Sequence, residues 1–108
     1  MIAVIFEGIV ENTRKQEYLE MSTRLQPLID KMEGFISVER FQSLADPEKV
    51  LSLSFWKNEE SIAQMRDLEM HRLAELKGRE YIFIDYRIRI AIVGRDYGRF
   101  DRKDAPVN

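Results

Sequence analysis

Residues 35–56 read FISVERFQSLADPEKVLSLSFW. Two apolar-rich runs, Phe35–Leu44 and Val50–Trp56, flank the tetrapeptide Asp46-Pro47-Glu48-Lys49. Asp at the first position of a turn can accept from the backbone two residues on, and Pro at the second presets the backbone angle. The tetrapeptide therefore predicts a tight reversal between two strands. The second run alternates with period two. Leu51, Leu53 and Phe55 share one face, and Ser52, Ser54 and Trp56 share the other.

Outward from this hairpin lie two segments with helical spacing. Before it, Tyr18, Met21, Leu25, Leu28 and Met32 recur every three or four residues, which predicts a helix with one apolar stripe. Asn12-Thr13 opens that helix. Thr13 and Gln16 have capping-box spacing, and Gly34 is its stop. Pro27 removes one backbone hydrogen bond and predicts a kink in the second half. After the hairpin, Asn58 is a good N-cap, and Glu59 and Glu60 suit the positive end of a helix. Ile62, Met65, Leu73 and Leu76 continue an apolar stripe, and Gly78 is the exit. Asp67–Met70 interrupts the stripe and predicts a bend or a helix in two pieces.

Outermost are two more strands. Ile2–Val10 is β-branched and aromatic-rich with one acid, Glu7, and reads as a strand buried on both sides. Tyr81–Val93 is the longest. Ile82, Ile84, Tyr86, Ile88, Ile90 and Ile92 share one face; Phe83, Asp85, Arg87, Arg89, Ala91 and Val93 share the other. The order β-α-β-β-α-β places the chain in the α+β class, with the ferredoxin-like topology and an antiparallel sheet. Helices cover one face of such a sheet, yet apolar residues occupy both faces of the first, third and fourth strands. Large bare apolar patches are rare on soluble monomers. A second copy of the chain is the simplest cover, and two sheets paired about a two-fold axis close into a dimeric α+β barrel. A different partner chain or a folded-back tail are the other covers.

Residues 1–98 read as one domain and 99–108 as a polar tail. The 108 residues are 44% hydrophobic and 33% charged, which fits a packed core and excludes disorder. Cysteine is absent, so disulfides and thiolate metal sites are excluded. The net charge of −2 offers no bulk attraction to nucleic acid. Arg95, Arg99, Arg102 and Lys103 interleave with Asp96, Asp101 and Asp104, as on a solvated tail. No apolar run approaches the ~20 residues of a membrane span. MIAVIFEG lacks a basic leader, so a cytoplasmic protein with no membrane partner is expected. No GxGxxG, Walker A, CxxC or HExxH motif occurs.

Several stretches carry a resemblance: MIAVIFE (1–7), EYLE (17–20), TRLQPLIDKMEGFISVERFQS (23–43), LSLSFWKNEESIAQMR (51–66), EMHR (69–72) and YIFIDYRIRIAIVGRDYG (81–98). The chain resembles the antibiotic biosynthesis monooxygenase family of small dimeric α+β barrel proteins. The resemblance implies a homodimer that oxidises a small aromatic or quinol-like molecule with O2, using no metal or flavin. Deprotonation makes such a substrate electron-rich enough to reduce O2 itself. The protein must supply a dry pocket, a base and donors for the oxyanion.

The resemblance also nominates residues. His71, the only histidine, matches one that several members place at the pocket. Histidine titrates near neutrality and is a natural base; the plainer reading is a surface or helix-packing residue. Trp56 matches the family's tryptophan at the end of the third strand, and is equally a core or interface anchor. Tyr86, Arg87 and Arg89 on the last strand are candidates to orient the anion, with Tyr86 on the face opposite the arginines. Arg87, Arg89 and Arg40 also suit ion pairs with Asp85 or Glu39. Glu7 is a pocket acid or a salt-bridge partner. Phe83, with Phe6, Phe35 and Phe55, lines an aromatic cavity or fills core. Met65, with Tyr18, Met21, Leu25 and Ile62, forms the helical wall. The haem-degrading branch has an asparagine on strand one, which this chain lacks. Met65 stands near that branch's tryptophan position, and Glu75 near its axial histidine. No cofactor is therefore expected, although His71 leaves haem ligation open. A non-catalytic dimer that binds a small molecule or haem is the alternative.

Overall fold

The computed structural model describes residues 1–75 and 82–106, with side chains at 1–68 and 82–106. The elements are β1 (Ile2–Val10), a 3-10 turn (Asn12–Arg14), α1 (Lys15–Asp30), β2 (Phe35–Gln42), β3 (Lys49–Trp56), α2 (Glu59–Glu75) and β4 (Phe83–Ile92). The four strands form one antiparallel sheet in the order β2-β3-β1-β4. This is the expected α+β, ferredoxin-like arrangement. Among the described residues, no helix is long and apolar enough to cross a membrane.

Pairing register assigns the two faces. Ile2 lies opposite Trp56, Val4 opposite Ser54 and Phe6 opposite Ser52. On the other side, Phe6 pairs with Ile88 and Gly8 with Tyr86. These residues face the helices. Ile5 pairs with Leu53 and Arg89, and Glu7 with Leu51 and Arg87, on the uncovered face. The serine-bearing side of β3 is thus the buried one, and the Leu51–Leu53–Phe55 side is the half-buried, uncovered one. The core gathers around Trp56, which is fully buried with Ile2, Val4, Ile29, Ile62 and Met65. Phe35 meets the indole edge-on at 5.2 Å. A second cluster joins Val10, Tyr18, Val50 and Ile82.

The hairpin turn forms as its sequence predicts. Glu48 N–H donates to Asp46 Oδ1 (3.0 Å), and Lys49 N–H donates to the Asp46 carbonyl (3.1 Å). β2 ends at Gln42 instead of Leu44, because the Gln42 amide folds over the loop. It donates to the carbonyls of Asp46 and Lys49 at 2.9 Å each. The Asn58 cap also forms: Ser61 N–H donates to its Oδ1 at 3.0 Å. α2 is one helix from Glu59 to Glu75, not two pieces. Gly78 and Tyr81 lie outside the described residues.

Two further expectations are corrected. The Thr13–Gln16 capping box does not form. A 3-10 turn occupies Asn12–Arg14, so α1 begins at Lys15 with no side-chain cap. The other correction concerns Phe83. The register shifts between Ile9 and Val10, so that Ile9 pairs with Asp85 but Val10 with Phe83. One extra residue on β4, Ile84, is bulged out, and the bulge turns Phe83 onto the same side as Tyr86.

Among the described residues, Gly34 is the one with left-handed backbone, at φ 82°. It reverses the chain after α1, and its carbonyl accepts from Lys57 N–H at 2.8 Å. A Cβ there would run into the Ser61 side chain. Gly34→Ala is expected to destabilise the fold by about 1–3 kcal/mol in urea denaturation. Gly94→Ala, where an added Cβ meets nothing within 4 Å, should change stability by no more than about 0.5 kcal/mol.

Candidate functional site

Between the covered face of the sheet and the two helices lies a cavity of about 310 Å³. Its floor is Val4 and Phe6 of β1, Val38 and Arg40 of β2, Ser52 and Ser54 of β3, and Phe83, Tyr86 and Ile88 around β4. Its walls are Tyr18, Met21, Ser22, Leu25 and Ile29 of α1, with Met65, Arg66 and Leu68 of α2. The sequence makes this space locally. At the two β3 positions that face inward before Trp56 it places serine, too small to fill the layer beneath the helices. Gly8 has a related effect at the other end. A Cβ there would stand 2.7 Å from the Phe83 ring, so only glycine lets that ring lie over β1.

The lining is mostly aromatic and aliphatic. Phe6 stacks on Tyr86 with ring centres 5.7 Å apart and meets Phe83 edge-on at 5.0 Å. Tyr18 closes on Phe83 at 5.7 Å. Such edge and offset contacts hold rings in fixed relation. Polar groups are few. Ser54 Oγ accepts from Trp56 Nε1 at 2.9 Å. Arg40 Nη1 donates to Gln26 Oε1 at 3.1 Å. The Tyr18 hydroxyl is buried with no hydrogen-bond partner. Burial pushes its phenol above the ordinary 10.0, while the Arg40 charge and interactions with the Ser22 hydroxyl and the Arg40 guanidinium pull the other way. Tyr18 is thus a protonated donor at neutral pH.

Of the residues nominated from sequence, the fold brings Met65, Phe83 and Tyr86 together on the cavity wall. Trp56 lies in the core beside it, packed with the lining residues Val4, Ile29 and Met65 and hydrogen-bonded to Ser54. Arg87 and Arg89 are on the opposite face of the sheet. There Glu7 Oε2 receives Arg89 at 3.5 Å and Lys49 at 3.7 Å. Glu7 is therefore a salt-bridge partner and not a cavity acid. His71 belongs to the end of α2, where side chains lie outside the described residues. Arg66, Ser22, Ser52 and Ser54 were not nominated from sequence, nor was the Tyr18 hydroxyl, and Arg40 was weighed with Arg87 and Arg89 between an ion pair and a bound anion. Arg40 had a usable signal: in the hairpin register it lies opposite Ser52, so it follows the serines inward. Among the described residues, no group of three His, Asp or Glu is placed to hold a metal ion.

Residues 1–75 match the family described as Antibiotic biosynthesis monooxygenase. A protein of Pyricularia oryzae named Jasmonate monooxygenase ABM is 38% identical over 93 residues, which are 86% of this chain. The chain spans 43% of the length of that relative. Among solved structures, an antibiotic biosynthesis monooxygenase candidate from Deinococcus radiodurans superposes with a TM-score of 0.76 at 13% identity, covering 91% of this chain and 97% of that one. SnoaB, a cofactor-independent oxygenase from Streptomyces nogalater, superposes with a TM-score of 0.71 at 7% identity, covering 88% and 94%. At these identities the two structures establish the fold alone.

The buried phenol has a pH signature. The folded protein holds the Tyr18 proton more tightly than the unfolded chain. The resulting stability is fully present below pH 10.0, the unfolded value, and is lost as pH rises through the higher folded value. Absorbance titration near the phenolate band should show one of the four tyrosines ionising late. Tyr18→Phe should remove that late step and weaken the alkaline loss of stability.

Proposed function

The chain belongs to the antibiotic biosynthesis monooxygenase family, and from that premise we propose that it oxidises a small, mostly apolar aromatic or quinol-like molecule with O2 inside the helix–sheet cavity. The observation that carries the proposal is the cavity itself. Its volume of about 310 Å³ stands at the low end of the roughly 300–1,000 Å³ usual for ligand sites, room for a molecule of a few rings. The wall set Phe6, Phe83 and Tyr86 offers ring faces and edges to such a body. The substrate of the Pyricularia relative, by its name jasmonate, is of the same size class.

The chemistry is that of a substrate acting as its own reductant. A base removes a proton from an activated C–H or O–H, and the anion reduces O2. One oxygen atom becomes a carbonyl on the substrate and the other leaves as water, so that CH2 plus O2 gives C=O plus H2O. No metal or organic cofactor is needed in this balance. His71 is the proposed base, on the family resemblance. The apolar walls keep water from the anion.

We also propose that the protein acts as a homodimer, which is the form that covers the second face of the sheet. Ile5, Leu51, Leu53 and Phe55 are only half-buried there, and Phe41 is 43% exposed. Sedimentation at micromolar concentration should show a dimer, and Leu53→Glu, a charge at the centre of that face, should shift it to monomer.

Oxygen uptake with hydroquinones, anthrones and jasmonate tests the activity directly. The product should gain one atom from labelled O2, and chelators should not slow the reaction. Ser52→Phe, which fills the cavity, should abolish most of the uptake. His71→Ala should lower kcat by about a hundredfold, as loss of a general base does. Full uptake in Ser52→Phe would place the reaction elsewhere. A haem titration with a Soret shift that His71→Ala removes would instead support the haem-binding alternative.

A further inference from the structure

Both charged side chains among the described lining residues of the cavity are cationic. Arg40 enters from β2 and Arg66 from α2, with no Asp or Glu beside them. The chain as a whole carries −2, so bulk composition does not account for this local excess. On the opposite face of the sheet the pattern differs: Arg89 and Lys49 converge on Glu7. The Arg40 guanidinium is half-buried. Among the described residues it donates to a neutral amide oxygen, Gln26 Oε1, it stands beside the Tyr18 hydroxyl, and no carboxylate reaches it. A guanidinium carries five N–H donors, so most of its capacity is open to solvent or to a ligand.

Tyr18 adds a second donor from the facing helix. Its hydroxyl is buried and makes no well-formed hydrogen bond, with the Arg40 guanidinium and the Ser22 hydroxyl beside it. A buried donor without an acceptor is costly, and a half-buried cation without a counter-charge is costlier. Two such donors from α1 and β2 border a cavity whose other walls are apolar. An acceptor placed between them would serve both donors, and a negative one serves them best.

We infer that the cavity takes a small apolar organic acid, and that Arg40 and the Tyr18 hydroxyl seat its carboxylate while the apolar body lies against Phe6, Phe83 and Tyr86. This rests on the reading of the cavity as the substrate site, and it adds which end of the substrate is held. Arg66, exposed at the rim, draws the anion in from solvent.

The test compares 1-naphthaleneacetate with 1-naphthaleneacetamide, which share one body and differ in charge, by calorimetric titration of the full chain. The acid should bind about tenfold or more tighter than the amide, the scale of a charge-assisted hydrogen bond. Arg40→Met should bring the two near parity, and Tyr18→Phe should reduce the preference by a smaller factor. Arg89→Met removes the same charge from the far face and should leave the preference unchanged. Equal binding of acid and amide to the unaltered protein overturns the acid seat while leaving the cavity as a ligand site. A preference that survives intact in Arg40→Met also overturns it. Binding of neither probe overturns both readings. The acid-to-amide ratio of the unaltered protein decides the matter even if a variant fails to fold.

Discussion

Trp56 is fully buried at the end of β3, and its Nε1–H finds an acceptor in Ser54 Oγ at 2.9 Å. An indole of that size has to go under the helices, and its N–H has to be satisfied there. Strand side chains alternate strictly, so fixing Trp56 fixes every other residue of β3. Ser54 and Ser52 follow it inward, and Leu51, Leu53 and Phe55 go to the other face. Pairing with β1 then carries the choice across the sheet. The cavity exists because the inward positions beside Trp56 hold serine. The uncovered apolar face exists because the leucines were sent the other way.

The elements were legible because each has a simple local cause. Period-two alternation marks β3, the Asp46-Pro47 reversal marks its hairpin, and Asn58 marks the start of α2. The choice of face was not legible, since both faces of β3 hold large apolar groups and alternation alone does not rank them. Phe83 was misplaced for a different reason. Strict alternation assumes an unbroken ladder, and the bulge at Ile84 breaks it. The predicted capping box failed because a 3-10 turn took up the residues that would have capped α1. These three outcomes depend on contacts between distant segments, which local spacing does not encode.

The arginines show the same limit in chemical form. From sequence, Arg87, Arg89 and Arg40 were weighed alike, as ion-pair residues or as holders of an anion. The register gives them opposite roles. Arg89 meets Glu7 on the uncovered face, while Arg40 stands opposite Ser52 and lines the cavity. A positive side chain on a strand is informative only once its face is known. Tyr86 and Met65 were easier to read, because plain periodicity groups each with the neighbours it keeps in the fold.

The cavity is not equally closed on all sides. Helices cover the β2-β3-β1 part of the sheet, and Val4, Ser54 and Met65 are buried there. β4 is an edge strand that α1 touches only near its start, where Tyr18 meets Phe83: further along, Tyr86 is 53% exposed and Ile88 44%, although both line the cavity. Oxygen chemistry on a carbanion needs water kept out, and the helical layer supplies that exclusion on one side only. The neighbouring residues Phe6 and Glu7 tie the two problems together. Phe6 lines the cavity and Glu7 lies on the uncovered face, so whatever orders the uncovered side of β1 and β4 also fixes the floor of the site. The proposed second copy is therefore more than a cover for bare leucines. By packing on the sheet it would hold in place the strand that carries Tyr86 and Ile88, at the side where the pocket is least dry.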